Sequence, residues 1–326
     1  MTSHAHSGPL TVAEPRVEPK ARSFVRLGKL DVYDYYPSIL VALAAVLLPL
    51  ARFEAAAGWT LALFLLGEVF VVMSMVALDD VTGYRDGSDA ANYGPNDPLR
   101  RKLRKPLIAG TLTQREALGF AWCTAAVGAA LWAGAVALAP HRPGWTLVLV
   151  PVVFVVALQY SYGLKISYHG FQEVFLVGLG AALVLAPYGL VAGHFSGFAL
   201  VAGVLFGAGP LLFGVYSNTN DIPGDRAVGR PTVACLVGPR GNAVFIGALS
   251  AAEFLLGAVA SATGIAPWWF VLLMLPVTAL RVRQYVTGFR GEGDIMRARR
   301  QGFVVHRVST VLLIAAGLLH GAEAAA

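Results

Sequence analysis

Residues 59–89 read WTLALFLLGEVFVVMSMVALDDVTGYRDGSD. From Trp59 to Leu78 the only charged side chain is Glu68; from Asp79 onward four carboxylates follow within one short stretch, Asp79, Asp80, Asp86 and Asp89. About 20 apolar residues of helix cross the ~30 Å hydrocarbon core of a bilayer. The stretch therefore reads as a membrane span that ends in an acidic cluster. Working outward, similar apolar runs occur at about 34–53, 117–139, 145–164, 171–192, 197–218, 242–263, 266–283 and 302–320. The runs at 145–164 and 266–283 are the least regular, with Pro151 and Pro276 inside them. Gly- and Ala-rich faces such as these favour close helix packing in lipid.

The composition agrees. Of 326 residues, 56% are hydrophobic and 13% charged, against about 25% charged in a soluble domain. The expected fold class is all-α, a polytopic membrane bundle of nine transmembrane helices arranged as two four-helix halves plus one. Residues 31–326 are expected to form one domain, and residues 1–30 a disordered cytoplasmic tail without the apolar core of a cleavable signal. The two cysteines, Cys123 and Cys235, fit neither a disulfide framework nor a metal spacing.

A net charge of +6 raises the question of nucleic acid, and the distribution answers it. Only Arg52 and Arg142 of the 25 Lys and Arg residues fall on one side of the expected spans, leaving 23 on the other. The positive-inside rule places the basic side in the cytoplasm, so these charges report topology rather than nucleic-acid binding. The expected location is the cytoplasmic membrane of a bacterium, with the N-terminus and the active site facing the cytoplasm.

A second acidic stretch follows the sixth span, Asn218-Thr219-Asn220-Asp221-Ile222-Pro223-Gly224-Asp225-Arg226. It lies on the same expected side as the first and at the same place in its four-helix half, the pattern of an internal duplication. Mg²⁺ is commonly held by one or two carboxylates plus substrate phosphate oxygens. Two acidic segments facing each other would thus suit a diphosphate bridged by metal ions, which take up the charge that develops as it leaves. Asp79, Asp80, Asp86, Asp89, Asp221 and Asp225 are the candidate metal ligands. If the second span stays helical, Asp79, Gly83 and Asp86 share one face, with Glu68 about 16 Å deeper at ~1.5 Å per residue. Pro223-Gly224 breaks or starts a helix between Asp221 and Asp225.

These stretches resemble the UbiA-type intramembrane prenyltransferases over about residues 34–320. The first family motif, Asn-Asp-x-x-Asp, is matched by Asp79-Asp80-Val81-Thr82-Gly83, and the second, Asp-x-x-x-Asp, by Asp221 and Asp225. Lys105-Pro106-Leu107-Ile108-Ala109-Gly110, Gly229-Arg230-Pro231-Thr232 and Tyr160-Ser161-Tyr162-Gly163-Leu164-Lys165 are similar to further family segments. Tyr168–Glu173 and Gly87-Ser88-Asp89 lean toward the naphthoate-prenylating branch. The chain departs from the pattern at Asp79, where the family has Asn, at Gly83, where it has Asp, and in its Tyr–Lys spacing.

The resemblance implies Mg²⁺-dependent ionisation of an allylic prenyl diphosphate and alkylation of an aromatic or quinone-precursor acceptor in the membrane. The implied catalytic residues are Asp79, Asp80, Asp86, Asp221 and Asp225, and Glu68 is added as a catalytic candidate from its mid-span position alone. The implied substrate contacts are Lys105, Tyr160, Tyr162, Lys165, Asn218, Arg226 and Arg230, with Tyr216 as a further aromatic face for a cation. The altered first motif keeps open a membrane terpene cyclase on the same scaffold. A transporter would place its acids at mid-membrane, whereas these clusters sit at one face. Glu68, mid-span, has two readings of equal weight, a deep catalytic carboxyl or a helix–helix hydrogen bond; Glu253 leans to the second, and Glu173 to capping the fifth span.

Overall fold

The apolar runs of the sequence are helices in a computed structural model, which describes residues 18–30, 32–47, 54–92, 103–170, 172–291 and 293–325. In chain order they are α1 (Lys20–Leu27), α2 (Ser38–Leu47), α3 (Ala55–Asp86), α4 (Ser88–Asn92), α5 (Gln114–Leu138), α6 (Gly144–Leu158), α7 (Gln172–Ala192), α8 (Gly197–Asn220), α9 (Ile222–Ala227), α10 (Val233–Leu236), α11 (Pro239–Ala262), α12 (Phe270–Phe289) and α13 (Ile295–Ala325). Tyr33–Tyr35 and Ile166–His169 are short 3-10 turns. The architecture is the expected polytopic all-α bundle. Seven helices among the described residues, α3, α5, α7, α8, α11, α12 and α13, are long and apolar enough to cross a bilayer. The shorter α6 is also apolar, and α2 covers part of the first expected span, whose end lies outside the described residues together with Arg52.

α3 explains how the first acidic cluster is carried. Its 32 residues extend about 48 Å at ~1.5 Å per residue, well beyond a hydrocarbon core, so its C-terminal turns project from the apolar slab. α8 ends at Asn220, and α9 begins after Asp221 with proline in its first turn, the break that Pro223-Gly224 announces. The helices α2, α3, α7, α8 and α13 pack around the centre, with α5 on α3 and with α11 and α12 on α8 and α13. α7 and α8 approach closely: a Cβ on Gly180 would lie 2.4 Å from the Gly207 Cα. Small residues at such a crossing replace hydrophobic driving force with van der Waals contact.

Of the tail expected over 1–30, residues 1–17 lie outside the described residues, while Lys20–Leu27 is a helix that packs on α3 and α5. Leu27 is fully buried there, and that burial holds residues which composition alone marks as solvated. Phe24 stacks on Phe120 at 5.3 Å.

Glu253 takes its structural reading. Both its oxygens accept from Arg281, at 2.8 and 3.0 Å, and Arg281 also donates to Gln284 at 2.9 Å. Both members of the pair are buried. Removing one partner of such a pair strands the other charge, at about 3–5 kcal/mol. Glu253→Ala is therefore expected to lower stability by about that amount, read as a drop in the melting midpoint of the detergent-solubilised protein. A midpoint unchanged from wild type would contradict the clamp.

Candidate active site

The two acidic segments meet. α4, after the first cluster, packs against α9, which carries the second, and the contact is tight enough that a Cβ on Gly224 would lie 2.4 Å from the Asn92 Oδ1. Between them and the ends of α3, α7, α8 and α13 lies a cavity of ≈ 350 Å³. Its polar end has four carboxylates, Asp79, Asp89, Asp221 and Asp225, and five cations, Lys29, Arg104, Lys105, Arg230 and Arg299. Deeper residues are less polar: Tyr35, Leu176, Pro210, Phe213 and Gly214. A second groove of ≈ 390 Å³ between α5 and α6 is lined by Trp132, Phe154, Pro151 and aliphatic residues. It has no ionisable lining residue and no part in the chemistry below.

Asp80 is the anchor of the cluster. It is 1% exposed, and its Oδ1 lies 2.8 Å from the Lys105 Nζ and 3.4 Å from the Lys29 Nζ. Lys105 also reaches Asp89 Oδ1 at 2.9 Å. Burial disfavours the Lys105 ammonium, but Asp80, Asp89 and Asp79 outweigh it and hold its pKa above the ordinary lysine value. Asp89 moves the other way: burial, opposed by Lys105, pushes its carboxyl up to about 6. Asp225 is likewise pushed up to about 6 by burial, with Arg230 opposing and Asp221 adding.

Arg230 ties the segment after α6 to the end of α3. The segment after α6 turns sharply: Leu164 N–H donates to Gln159 Oε1 at 2.7 Å, and Ser167 N–H to the Tyr160 carbonyl at 2.8 Å. The turn brings the hydroxyls of Ser161 and Ser167 to 3.1 Å. Arg230 donates to Ser167 at 2.8 Å and lies 3.7 Å from Asp79, which accepts from Ser161 at 2.6 Å. The guanidinium also faces the rings of Tyr160 and Tyr168, 5.9 and 5.0 Å from their centroids.

Of the residues singled out in sequence, Asp79, Asp89, Lys105, Tyr160, Asn218, Asp221, Asp225 and Arg230 line the cavity, and Asp80 lies against its two lysines. Asn218 accepts from Gln172 at 3.0 Å. Others fall elsewhere. Asp86 is not a lining residue: its Oδ1 accepts from the Ser88 N–H at 3.0 Å and its Oδ2 from the Tyr168 hydroxyl. Glu68 is fully buried away from the cavity, its oxygens 2.8 and 2.9 Å from the Ser38 hydroxyl on α2, the helix–helix hydrogen bond of its structural reading. Tyr162 packs edge-on against Trp122, and the Lys165 Nζ sits 5.0 Å over the Tyr168 ring. Arg226 does not line the cavity, and Tyr216 is buried beside Phe289. Lys29, Tyr35, Ser167 and Arg299 carry no motif signal, while Ser161 and Gln172 fall inside family-like segments without being singled out there. Lys29 falls in the expected tail, and Arg299 among residues read only as topology signals.

The carboxylates and their surroundings suit a hard divalent cation. The donors are all oxygen, and Lys105 marks a position between Asp80 and Asp89 that demands positive charge. The buried Oδ2 of Asp80 has no hydrogen-bond partner among the described residues, an oxygen left over for a further ligand. Among the described residues no group of three or more His, Cys, Asp or Glu side chains is placed to hold a metal ion by itself; Mg²⁺ commonly takes part of its coordination from substrate phosphate oxygens and water.

A polytopic helix bundle with a cavity of this kind at one end defines an integral membrane protein with a candidate site lined by both acidic and basic side chains. The chain belongs to the UbiA prenyltransferase family, whose pattern it matches over residues 38–305. Solved structures agree on the fold. A UbiA homolog from Aeropyrum pernix K1, in its apo form, is 18% identical with a TM-score of 0.63, covering 88% of this chain and 97% of its own. A UbiA homolog from Archaeoglobus fulgidus bound to DMAPP and Mg²⁺ is 14% identical with a TM-score of 0.63, covering 92% and 99%. A structure of digeranylgeranylglyceryl phosphate synthase is also 14% identical, with a TM-score of 0.60 over 92% and 99%. No curated protein matches the sequence.

If Asp89 and Asp225 both ligate metal, binding must displace their protons below about pH 6. Each pH unit below that value then weakens binding about tenfold per displaced proton. Mn²⁺ affinity measured by EPR in the presence of pyrophosphate is expected to fall at least about tenfold between pH 7.5 and pH 5. An affinity constant over that range would remove both residues from the ligand set.

Proposed function

We propose that the protein is a Mg²⁺-dependent prenyltransferase that moves the isoprenyl group of an allylic prenyl diphosphate to an aromatic or quinone-precursor acceptor in the membrane. The observation that carries this reading is the convergence of both acidic segments, with Lys105 and Arg230, on one cavity whose deeper lining is apolar. The Archaeoglobus fulgidus homolog binds DMAPP and Mg²⁺, and a further structure of it binds GPP and Mg²⁺; family membership makes the same ligand class the best candidate here.

Asp79, Asp80, Asp89, Asp221 and Asp225 would hold the metal. When bound, Mg²⁺ supplies the positive charge that stabilises the departing diphosphate. The chain's own cations orient the leaving group: Lys105, Lys29 and Arg299 from one side, and Arg230 from the other. Tyr160, beneath Arg230, and the paired rings of Tyr35 and Phe213, 6.2 Å apart, present aromatic faces for the cationic carbon. Leu176, Pro210 and Phe213 hold the isoprenyl chain and keep water from it. The Lys and Arg residues that collect at this end of the bundle support a site facing the cytoplasm.

The test is incubation of purified protein with C10, C15 and C20 allylic diphosphates and Mg²⁺, with and without a quinone precursor, followed by mass spectrometry. A prenylated acceptor is the expected product. A cyclic hydrocarbon or alcohol formed without acceptor would assign a terpene cyclase instead, and no Mg²⁺-dependent consumption of any diphosphate would end the reading.

A further inference from the structure

We propose that the carboxylate of Asp89 stands in for a side chain at position 83, and that Asp86 is the positioning residue that keeps it there rather than a metal ligand. The inference rests on the metal–diphosphate reading above and specifies how the first acidic segment is built. Position 83 is one turn beyond Asp79 on α3, the natural place for a second carboxylate on the same face. The sequence has glycine there. The space is not empty: a Cβ on Gly83 would lie 2.9 Å from Cγ and Oδ2 of Asp89 and 3.1 Å from its Oδ1.

The chain reaches this arrangement by reversing after α3. Gly87 ends the helix at φ 84°, a left-handed backbone open mainly to glycine. The one-turn helix α4 then lays Asp89 back over Gly83. Asp86 fixes that reversal at both ends, accepting from the Ser88 N–H at 3.0 Å and from the Tyr168 hydroxyl. Tyr168 in turn lies under Arg230. Asp89, so placed, shares Lys105 with Asp80, whose buried Oδ2 has no hydrogen-bond partner among the described residues. Asp86 thus spends both oxygens on the frame, while Asp89 carries the charge into the cavity.

The experiment uses the full chain in nanodiscs, with Mn²⁺ and inorganic pyrophosphate as the EPR probe, turnover as the second readout and a thermal melt to report folding. Asp89→Gly is expected to weaken Mn²⁺ binding at least about tenfold. The exchange Gly83→Asp with Asp89→Gly is expected to restore it to within about threefold of wild type, because the carboxylate returns to the same space. Asp86→Ala is expected to cost about tenfold or more. Asp86→Asn, whose amide oxygen still accepts from Ser88, is expected to keep most of the affinity. A folded exchange variant that binds no better than Asp89→Gly, or Asp86→Asn as damaging as Asp86→Ala, overturns the inference. Should wild type bind Mn²⁺ with pyrophosphate and Asp225→Asn lose it, the broader reading survives either outcome. Absence of Mn²⁺ binding in wild type overturns both.

Discussion

Asp80→Asn is expected to lower turnover by at least about 10²–10³-fold, the cost of removing one well-placed electrostatic group from a closed site. Three effects fall on this residue together. The buried carboxylate loses the charge that compensates Lys105 and Lys29. The Oδ2, with no hydrogen-bond partner among the described residues, is lost as an anionic donor. Lys105, released from Asp80, is drawn to Asp89 alone. EDTA should reproduce the loss reversibly, with activity returning on addition of Mg²⁺. A folded Asp80→Asn enzyme with more than a tenth of wild-type turnover, or full activity in EDTA, would refute the metal mechanism. A thermal melt on each variant separates lost chemistry from lost fold.

Arg230 is the second position where a large effect is expected. Its guanidinium holds Ser167 and Asp79 on one side and lies against two tyrosine rings, while its buried Nε has no hydrogen-bond partner among the described residues. A planar fork with a spare donor suits a phosphate oxygen, and a lysine cannot reproduce it. Arg230→Ala is expected to reduce kcat/KM for the prenyl diphosphate by about 10²–10³-fold, and Arg230→Lys to recover only part of that. A residue that serves only ground-state binding would raise KM and leave kcat intact; here kcat is expected to fall as well, because charge builds on the leaving group during ionisation. Wild-type kcat in Arg230→Lys would place Arg230 outside the reacting centre.

Several elements of the site were legible before any coordinates. Asp79, Asp221, Asp225, Lys105 and Arg230 sit in short motifs at the ends of apolar runs, and each of them lines the cavity. The helical phase of α3 was legible too, since the helix runs unbroken to Asp86. Phase alone does not fix the role of Asp86. It lies on the Asp79 face by period, yet it is the last residue of the helix, where its carboxylate caps the next turn. Lys29 was lost for a different reason. It falls in a polar, proline-containing stretch that reads as tail, and its place depends on Asp80, 51 positions away in the chain.

Composition, the length of the apolar runs and the side on which Lys and Arg collect determined that this chain spans a membrane as a helical bundle with its acids at one end. Those properties follow from the thickness of a bilayer and the cost of unpaired polar groups inside it, and both act locally along the chain. The tertiary structure decided which acids face each other, which cations reach between them and which carboxylate fills the space at Gly83. Such choices depend on where helices end and how their ends pack, and a left-handed glycine or a contact between distant segments sets them without a periodic trace in sequence.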